Sequence, residues 1–259
     1  MDLGLKGSVA VVTGGSRGIG RSIALGLVAE GACVALCARN AAALEATARH
    51  LRERGGDVLV RPADVGEEGA VEELVRAAVE RWGRLDVLVN NAGGPALGTF
   101  ESLADGDWQA AFELTLMSVV RAVRAALPHL RASPAGRVIN ILSTSVKQPL
   151  DGLLLSNSLR SGVAGLAKTL SRELGGYGVT VNNVCPAHIL TGRLRQVAAA
   201  RAAGGSPVDA RTALADVPLK RFGAPSEVAE LVVFLASGRA GYITGTTISV
   251  DGGSTSSLT

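Results

Sequence analysis

Two groups of residues have the types and spacing that binding chemistry needs. The first is Gly14, Gly18 and Gly20, with Ser16, Arg17 and Ile19, in the run TGGSRGIG at 13–20. Glycines let a backbone turn sharply and approach a pyrophosphate. A helix that starts there offers free N–H groups and the positive end of its dipole. A glycine-rich loop alone is weak evidence, but this one follows an apolar run and opens a helical stretch, as dinucleotide binding requires. The second group ends the next apolar run. An acid there would hold the ribose 2′-hydroxyl of NAD(H). The chain has Ala38, Arg39 and Asn40 instead. Arg39 can pair with a 2′-phosphate and Arg17 adds a second positive charge, so the expected cofactor is NADP(H). The competing reading leaves Arg39 as a solvated surface residue.

These loops need strands and helices to hold them. Apolar runs at 8–13, 33–38, 58–61, 87–90, 137–143, 180–185 and 247–250 read as strands. Between them, 21–30, 41–54, 67–82, 107–130, 156–175 and 226–236 read as helices. Repeated strand–helix–strand units imply right-handed crossovers and a parallel sheet. The expected fold is α/β: a three-layer, doubly wound parallel sheet in a single domain over 1–259. Aromatics are 3% of the 259 residues, so aliphatic side chains must fill the core. That suits a sheet buried on both faces.

The formal net charge of +3 comes without a Lys/Arg block or interleaved aromatics, so no nucleic-acid partner is expected. No apolar run reaches the ~18 residues of a membrane span, and the opening residues carry no signal-like apolar stretch. Three cysteines, an odd number in apolar segments, argue against a disulfide framework. A cytoplasmic setting is expected.

With these motifs in this order the chain resembles the short-chain dehydrogenases/reductases, and within them the 3-oxoacyl-acyl-carrier-protein reductases. The resemblance spans nearly the whole chain: TGGSRGIG, Asp64-Val65, NNAG at 90–93, GRVINILS at 136–143, VTVNNVCPA at 179–187 and YITGTTISVDGG at 242–253. It implies the Rossmann fold. It also implies that Asp64 and Val65 meet the adenine, that Asn91, Ala92 and Gly93 line the ribose, and that Pro186, Ile189 and Thr191 approach the nicotinamide.

The chain departs from the family where protons move. The family uses Asn, Ser, Tyr and Lys. The Ser position is Ser143. The Tyr and Lys positions fall on Ser156 and Arg160, and the segment AGLAKTLSREL fixes this register without a gap. The Asn position is Thr115. Carbonyl reduction needs a proton for the developing alkoxide, and a serine hydroxyl is a far poorer acid than a tyrosine. Arg160 keeps a positive charge and could hydrogen-bond the nicotinamide ribose of the cofactor, but it cannot relay a proton, because it stays protonated. Ser143, Ser145 and Ser156 could orient a carbonyl, with Lys147 or His188 supplying the proton. Lys147 reads equally well as a solvated loop lysine, and His188 as an ordinary loop residue. His50 and His129 read as structural. Three outcomes stay open: a reductase with a rearranged site, an NADP(H)-binding protein with other chemistry, and a non-catalytic binding protein. No metal site is expected.

A substrate lid is expected at about 191–218, with Arg193, Arg195, Arg201, Arg211, Asp209 and Asp216 and a flexible point at Gly204-Gly205. Its basic residues suit a phosphate-bearing carrier or simply a solvated helix. The expected substrate is a small carbonyl or alcohol, or an acyl thioester. The family resemblance implies a homotetramer. In calorimetric titrations NADPH should bind more tightly than NADH; equal affinities would remove the role given to Arg39.

Overall fold

The computed structural model describes residues 2–203 and 214–258. Seven strands form one parallel sheet: β1 (Val9–Thr13), β2 (Cys33–Ala38), β3 (Val58–Pro62), β4 (Val87–Asn90), β5 (Arg137–Ile141), β6 (Thr180–Pro186) and β7 (Thr247–Val250). Their order is β3-β2-β1-β4-β5-β6-β7. The chain therefore reverses direction across the sheet between β1 and β4, and a crevice opens there at the strands' carboxyl ends. The three-layer α/β reading holds.

Alternation along the strands builds two cores. Ala10 and Val12 face a layer made by α1 (Gly18–Ala29), α2 (Ala41–Arg52) and, across the chain, α8 (Pro225–Ala236). Val9 and Val11 face α3 (Ala70–Trp82), α5 (Ser118–Ala132) and α6 (Leu154–Leu174). Both faces of the sheet are covered, which explains strands that read as unbroken aliphatic runs. The remaining helices are α4 (Asp105–Phe112) and α7 (Gly192–Ala203).

Most boundaries shift by one to three residues, and two differences bear on the site. Helix α1 starts at Gly18, not three residues later, because its glycine-rich first turn is still helical. The single helix expected over 107–130 is broken by a π-helical turn at Glu113–Met117 between α4 and α5. The expected lid over 191–218 contains α7; Gly204-Gly205, Asp209 and Arg211 and the side chain of Arg201 lie outside the described residues. Among those described, no helix is long and apolar enough to cross a membrane, and no cluster of His, Cys, Asp or Glu could hold a metal.

The sheet also carries a buried polar row. Asn90 donates to Asn140 at 2.8 Å, Asn140 to Asn183 at 2.9 Å, and Asn183 to the Thr247 hydroxyl at 3.0 Å. Each pair lies opposite in strand register. Orphaning one buried donor costs roughly 1–3 kcal/mol, so the row resists any slip of β4, β5 or β6.

Helix α8 is fixed at its start by Glu227. Its carboxylate accepts two bonds from Arg221 at 2.6 and 2.8 Å, and one from the Ala224 amide at 2.8 Å. The Arg221 bonds, and then the amide, pull its pKa from 4.5 to about 2. Because the folded pKa is depressed, this contribution is complete above about 4.5 and is lost as pH falls through about 2. Glu227→Gln should lower Tm at neutral pH, and the gap to wild type should close near pH 2 in scanning calorimetry.

Candidate active site and nucleotide cradle

Asn91 follows β4 and ties the crevice together. Its amide nitrogen donates to the Thr13 and Gly14 carbonyls at 3.1 and 3.2 Å, and its backbone N–H donates to the Thr13 hydroxyl at 2.8 Å. A Cβ on Gly14 would overlap the Asn91 carbonyl oxygen. A Cβ on Gly20 would overlap the Gly14 carbonyl and lie 2.5 Å from the Asn91 amide nitrogen. Gly14 also has φ +64°, where side chains are rarely tolerated. These two glycines are thus demanded by protein packing. Gly18 differs: the nearest atom to a Cβ there is a Thr191 methyl at 3.4 Å. It opens α1, whose first turn has no acidic residue and whose N-cap, Arg17, makes no side-chain cap. The N–H groups of that turn are therefore available to an anion.

The other expected nucleotide residues surround this turn. Arg17, Arg39 and Asn40 are exposed. Arg39 lies 3.8 Å from Asp64, an exposed, loose pair. Asn40 caps α2, its side-chain oxygen accepting from the Ala43 N–H at 2.8 Å. The other Asp64 oxygen accepts from the Gly66 N–H at 3.0 Å. Val65 is buried. The Ser16 carbonyl accepts from the Thr47 hydroxyl, and Ile19 packs partly buried against the core. Ala92 and Gly93 continue the chain past Asn91. Pro186 ends β6, Ile189 is buried, and the Thr191 hydroxyl donates to the Ile189 carbonyl.

On the same edge of the sheet lies a hydroxyl and guanidinium cluster. Ser143 caps a short 3₁₀ turn, Thr144–Val146, and its hydroxyl accepts from the Ser145 N–H at 3.2 Å. The Ser145 and Ser156 hydroxyls are 3.2 Å apart and both residues are buried. Arg160, one turn further along α6, is only 7% exposed. Its Nη1 donates to the Ile141 carbonyl at 2.8 Å and its Nη2 reaches the Gly93 carbonyl at 3.5 Å. Burial first, and then repulsion from Arg193, draws its pKa down to about 10. The thiol of Cys185 moves up to about 11, chiefly through burial, although the charges of Lys147 and Arg160 oppose this.

Not every expected site residue joins this cluster. Lys147, half-buried just past the 3₁₀ turn, shares the field at Cys185 with Arg160. His188 instead borders a cavity of about 250 Å³ with Arg221, Glu227 and Asp251. Its backbone has φ +53°, and its carbonyl accepts from the Gly223 N–H. Thr115 sits in the π turn, where its hydroxyl is buried with no hydrogen-bond partner. Sequence reasoning missed Thr13, whose only signal was its place before Gly14. It also gave no sign that the Arg193 guanidinium is partly buried and donates to the Pro95 carbonyl at 2.9 Å.

Comparison with known proteins agrees with this geometry. The family model described as enoyl-(acyl carrier protein) reductase matches residues 14–255. The chain belongs to the short-chain dehydrogenase/reductase family. The 3-oxoacyl-(acyl-carrier-protein) reductase of Synechocystis is 36% identical over 251 residues, covering 96% of this chain and 97% of that protein. The L-sorbose reductase of Gluconobacter frateurii, complexed with NADPH and L-sorbose, superposes with a TM-score of 0.93 at 36% identity over 100% of both chains. An NADPH-bound short chain oxidoreductase of Pseudomonas aeruginosa, described as containing an atypical catalytic center, gives 0.88 at 34% identity, covering 96% of this chain and 97% of that one.

Gly20→Ala should destabilise the protein by about 1–3 kcal/mol in urea unfolding, the usual cost of overpacking. Gly106→Ala, where a Cβ meets nothing within 4 Å, should cost far less. Equal costs would show that Asn91 yields without strain.

Proposed function

We propose that the chain is an NADP(H)-dependent oxidoreductase interconverting a carbonyl and an alcohol, similar to the 3-oxoacyl-thioester reductases, with an atypical proton-transfer site. The observation that carries this reading is an uncapped, acid-free helix start beside the Ser145–Ser156–Arg160 cluster.

The residues fit the nucleotide. Gly18 leaves its approach clear, and residues 14–20 would hold the phosphates. Arg39, with Arg17 and Asn40, would hold the 2′-phosphate. An exposed pair such as Arg39–Asp64 is worth only about 0–1 kcal/mol, so Arg39 gives up little to turn toward it. Asp64 and Val65 would hold the adenine, and Asn91, Ala92 and Gly93 the ribose. Pro186, Ile189 and Thr191 would hold the nicotinamide. The similarity to NADPH-bound reductases supports this assignment. When bound, the cofactor supplies or accepts hydride.

The chain's own residues do the rest. The Ser145 and Ser156 hydroxyls hold the substrate oxygen, beside Ser143. Arg160 is fixed by the Ile141 carbonyl and stabilises negative charge developing on that oxygen. Lys147 delivers the proton. It is favoured over His188 because its charge reaches Cys185 together with that of Arg160, whereas His188 borders the cavity of Arg221 and Glu227. Thr115 holds the place of the family's Asn. The segment at about 191–218 acts as the lid, and the long helices α5 and α6 with β7 assemble a homotetramer.

A second reading is an NADP(H)-binding protein without dehydrogenase activity. What favours it is Ser156 and Arg160 in place of Tyr and Lys, with the Arg160 guanidinium bonded to two backbone carbonyls. An NADPH-oxidation screen over ketones and acyl thioesters separates the two. Turnover is expected, with Lys147→Ala cutting kcat by about 10²-fold or more and leaving NADPH affinity unchanged. NADPH binding without turnover on any substrate would support the second reading. The double variant Ser156→Tyr, Arg160→Lys should then gain activity if the rest of the pocket is competent.

A further inference from the structure

Arg160 and Arg193 bring two guanidinium groups to one short stretch of chain. Arg160 reaches the Gly93 carbonyl, and Arg193 donates to the Pro95 carbonyl. Between them is Gly94. A Cβ there would come within 2.6 Å of the Arg193 guanidinium, which therefore lies flat across the bare backbone. Burial lowers the pKa of both guanidinium groups, and at Arg160 the positive charge of Arg193 lowers it further.

Most other arginines in contact range of an acid use it. Arg84, Arg121 and Arg221 each pair with a carboxylate. Among the described residues, neither Arg160 nor Arg193 pairs with one. Asp251, which shares the surroundings of Cys185 with Arg160, turns its oxygens to Gly253, Ser254 and Thr255. A lone buried arginine can be carried by carbonyls, as Arg137 is by Gly136 and Ser237. Two side by side add mutual repulsion that carbonyl dipoles do not remove. An oxyanion removes it, and the planar guanidinium fork matches a carboxylate or phosphate.

We infer that Arg160 and Arg193 form an oxyanion subsite, and that the substrate carries a carboxylate or phosphate close to its carbonyl. The subsite stands on its own geometry; the statement about the substrate rests on the oxidoreductase reading above. Arg160 serves both the developing charge and the anion, whereas Arg193 serves the anion alone and so sets the preference for charged substrates.

The test uses the NADPH-loaded protein. Calorimetry with oxamate, a carboxylate that is not reduced, and with inorganic phosphate reads the subsite directly and shows which oxyanion it takes. At least one should bind, and Arg193→Ala should weaken it at least about tenfold while NADPH affinity shifts less than about twofold. Arg193→Lys keeps the charge but loses the fork, and should recover only part of the affinity. NADPH binding also reports that each variant is folded. In turnover, 2-oxo acids should be preferred to their methyl esters, or dihydroxyacetone phosphate to dihydroxyacetone, by at least about tenfold in kcat/KM, and Arg193→Ala should erase the preference.

Failure of both anions to bind overturns the subsite, as does Arg193→Ala weakening NADPH as much as the anion. Turnover of neutral and anionic substrates alike overturns the substrate class while leaving the oxidoreductase reading standing. Anion binding lost in Arg193→Ala, with no turnover of any substrate, supports the subsite and removes the oxidoreductase reading.

Discussion

The grip of Asn91 on the end of β1 is the constraint around which the functional edge is arranged. One side chain and one backbone N–H close the gap between β1 and β4, where no crossover helix lies. Asn91 sits so close to Gly14 and Gly20 that neither tolerates a Cβ. The glycine pattern is therefore set in large part by the protein's own packing, and only Gly18 keeps clear space. The loop is shaped before any ligand arrives, which lowers the ordering cost of binding.

From that grip the site extends along the carboxyl edges of the strands. The segment after Asn91 passes Gly93, Gly94 and Pro95, and the buried Arg160 and partly buried Arg193 guanidinium groups settle on it. The wide planar cation of Arg160 is anchored on the end of β5 through the Ile141 carbonyl. The glycine-rich turn, through Asn91, and the Ser145–Ser156–Arg160 cluster, through Gly93, are thus tied to one stretch of backbone.

The layered fold was legible because aliphatic runs such as Val34–Leu36 and glycine stops such as Gly31 record burial and chain reversal directly. The start of α1 was not, because glycine-rich sequence looks like loop even where the turn is helical. The π turn at Thr115 was invisible because one extra residue per turn leaves helical composition unchanged. A glycine-rich turn between β1 and α1 could be read from the run Gly14–Gly20, whose local sequence carries the physics. The inward placement of Arg193 could not. It depends on the missing side chain of Gly94, about a hundred residues earlier, and no local pattern records such a pairing.

The row Asn90–Asn140–Asn183–Thr247 has one sense: every amide donates toward β7. No single member can turn over without facing donor against donor, or oxygen against oxygen. The three amides must therefore flip together or remain as they are. Four strands contributed by distant parts of the chain are in this way locked to a common orientation, and the row is a polarised line running across the sheet under the functional edge.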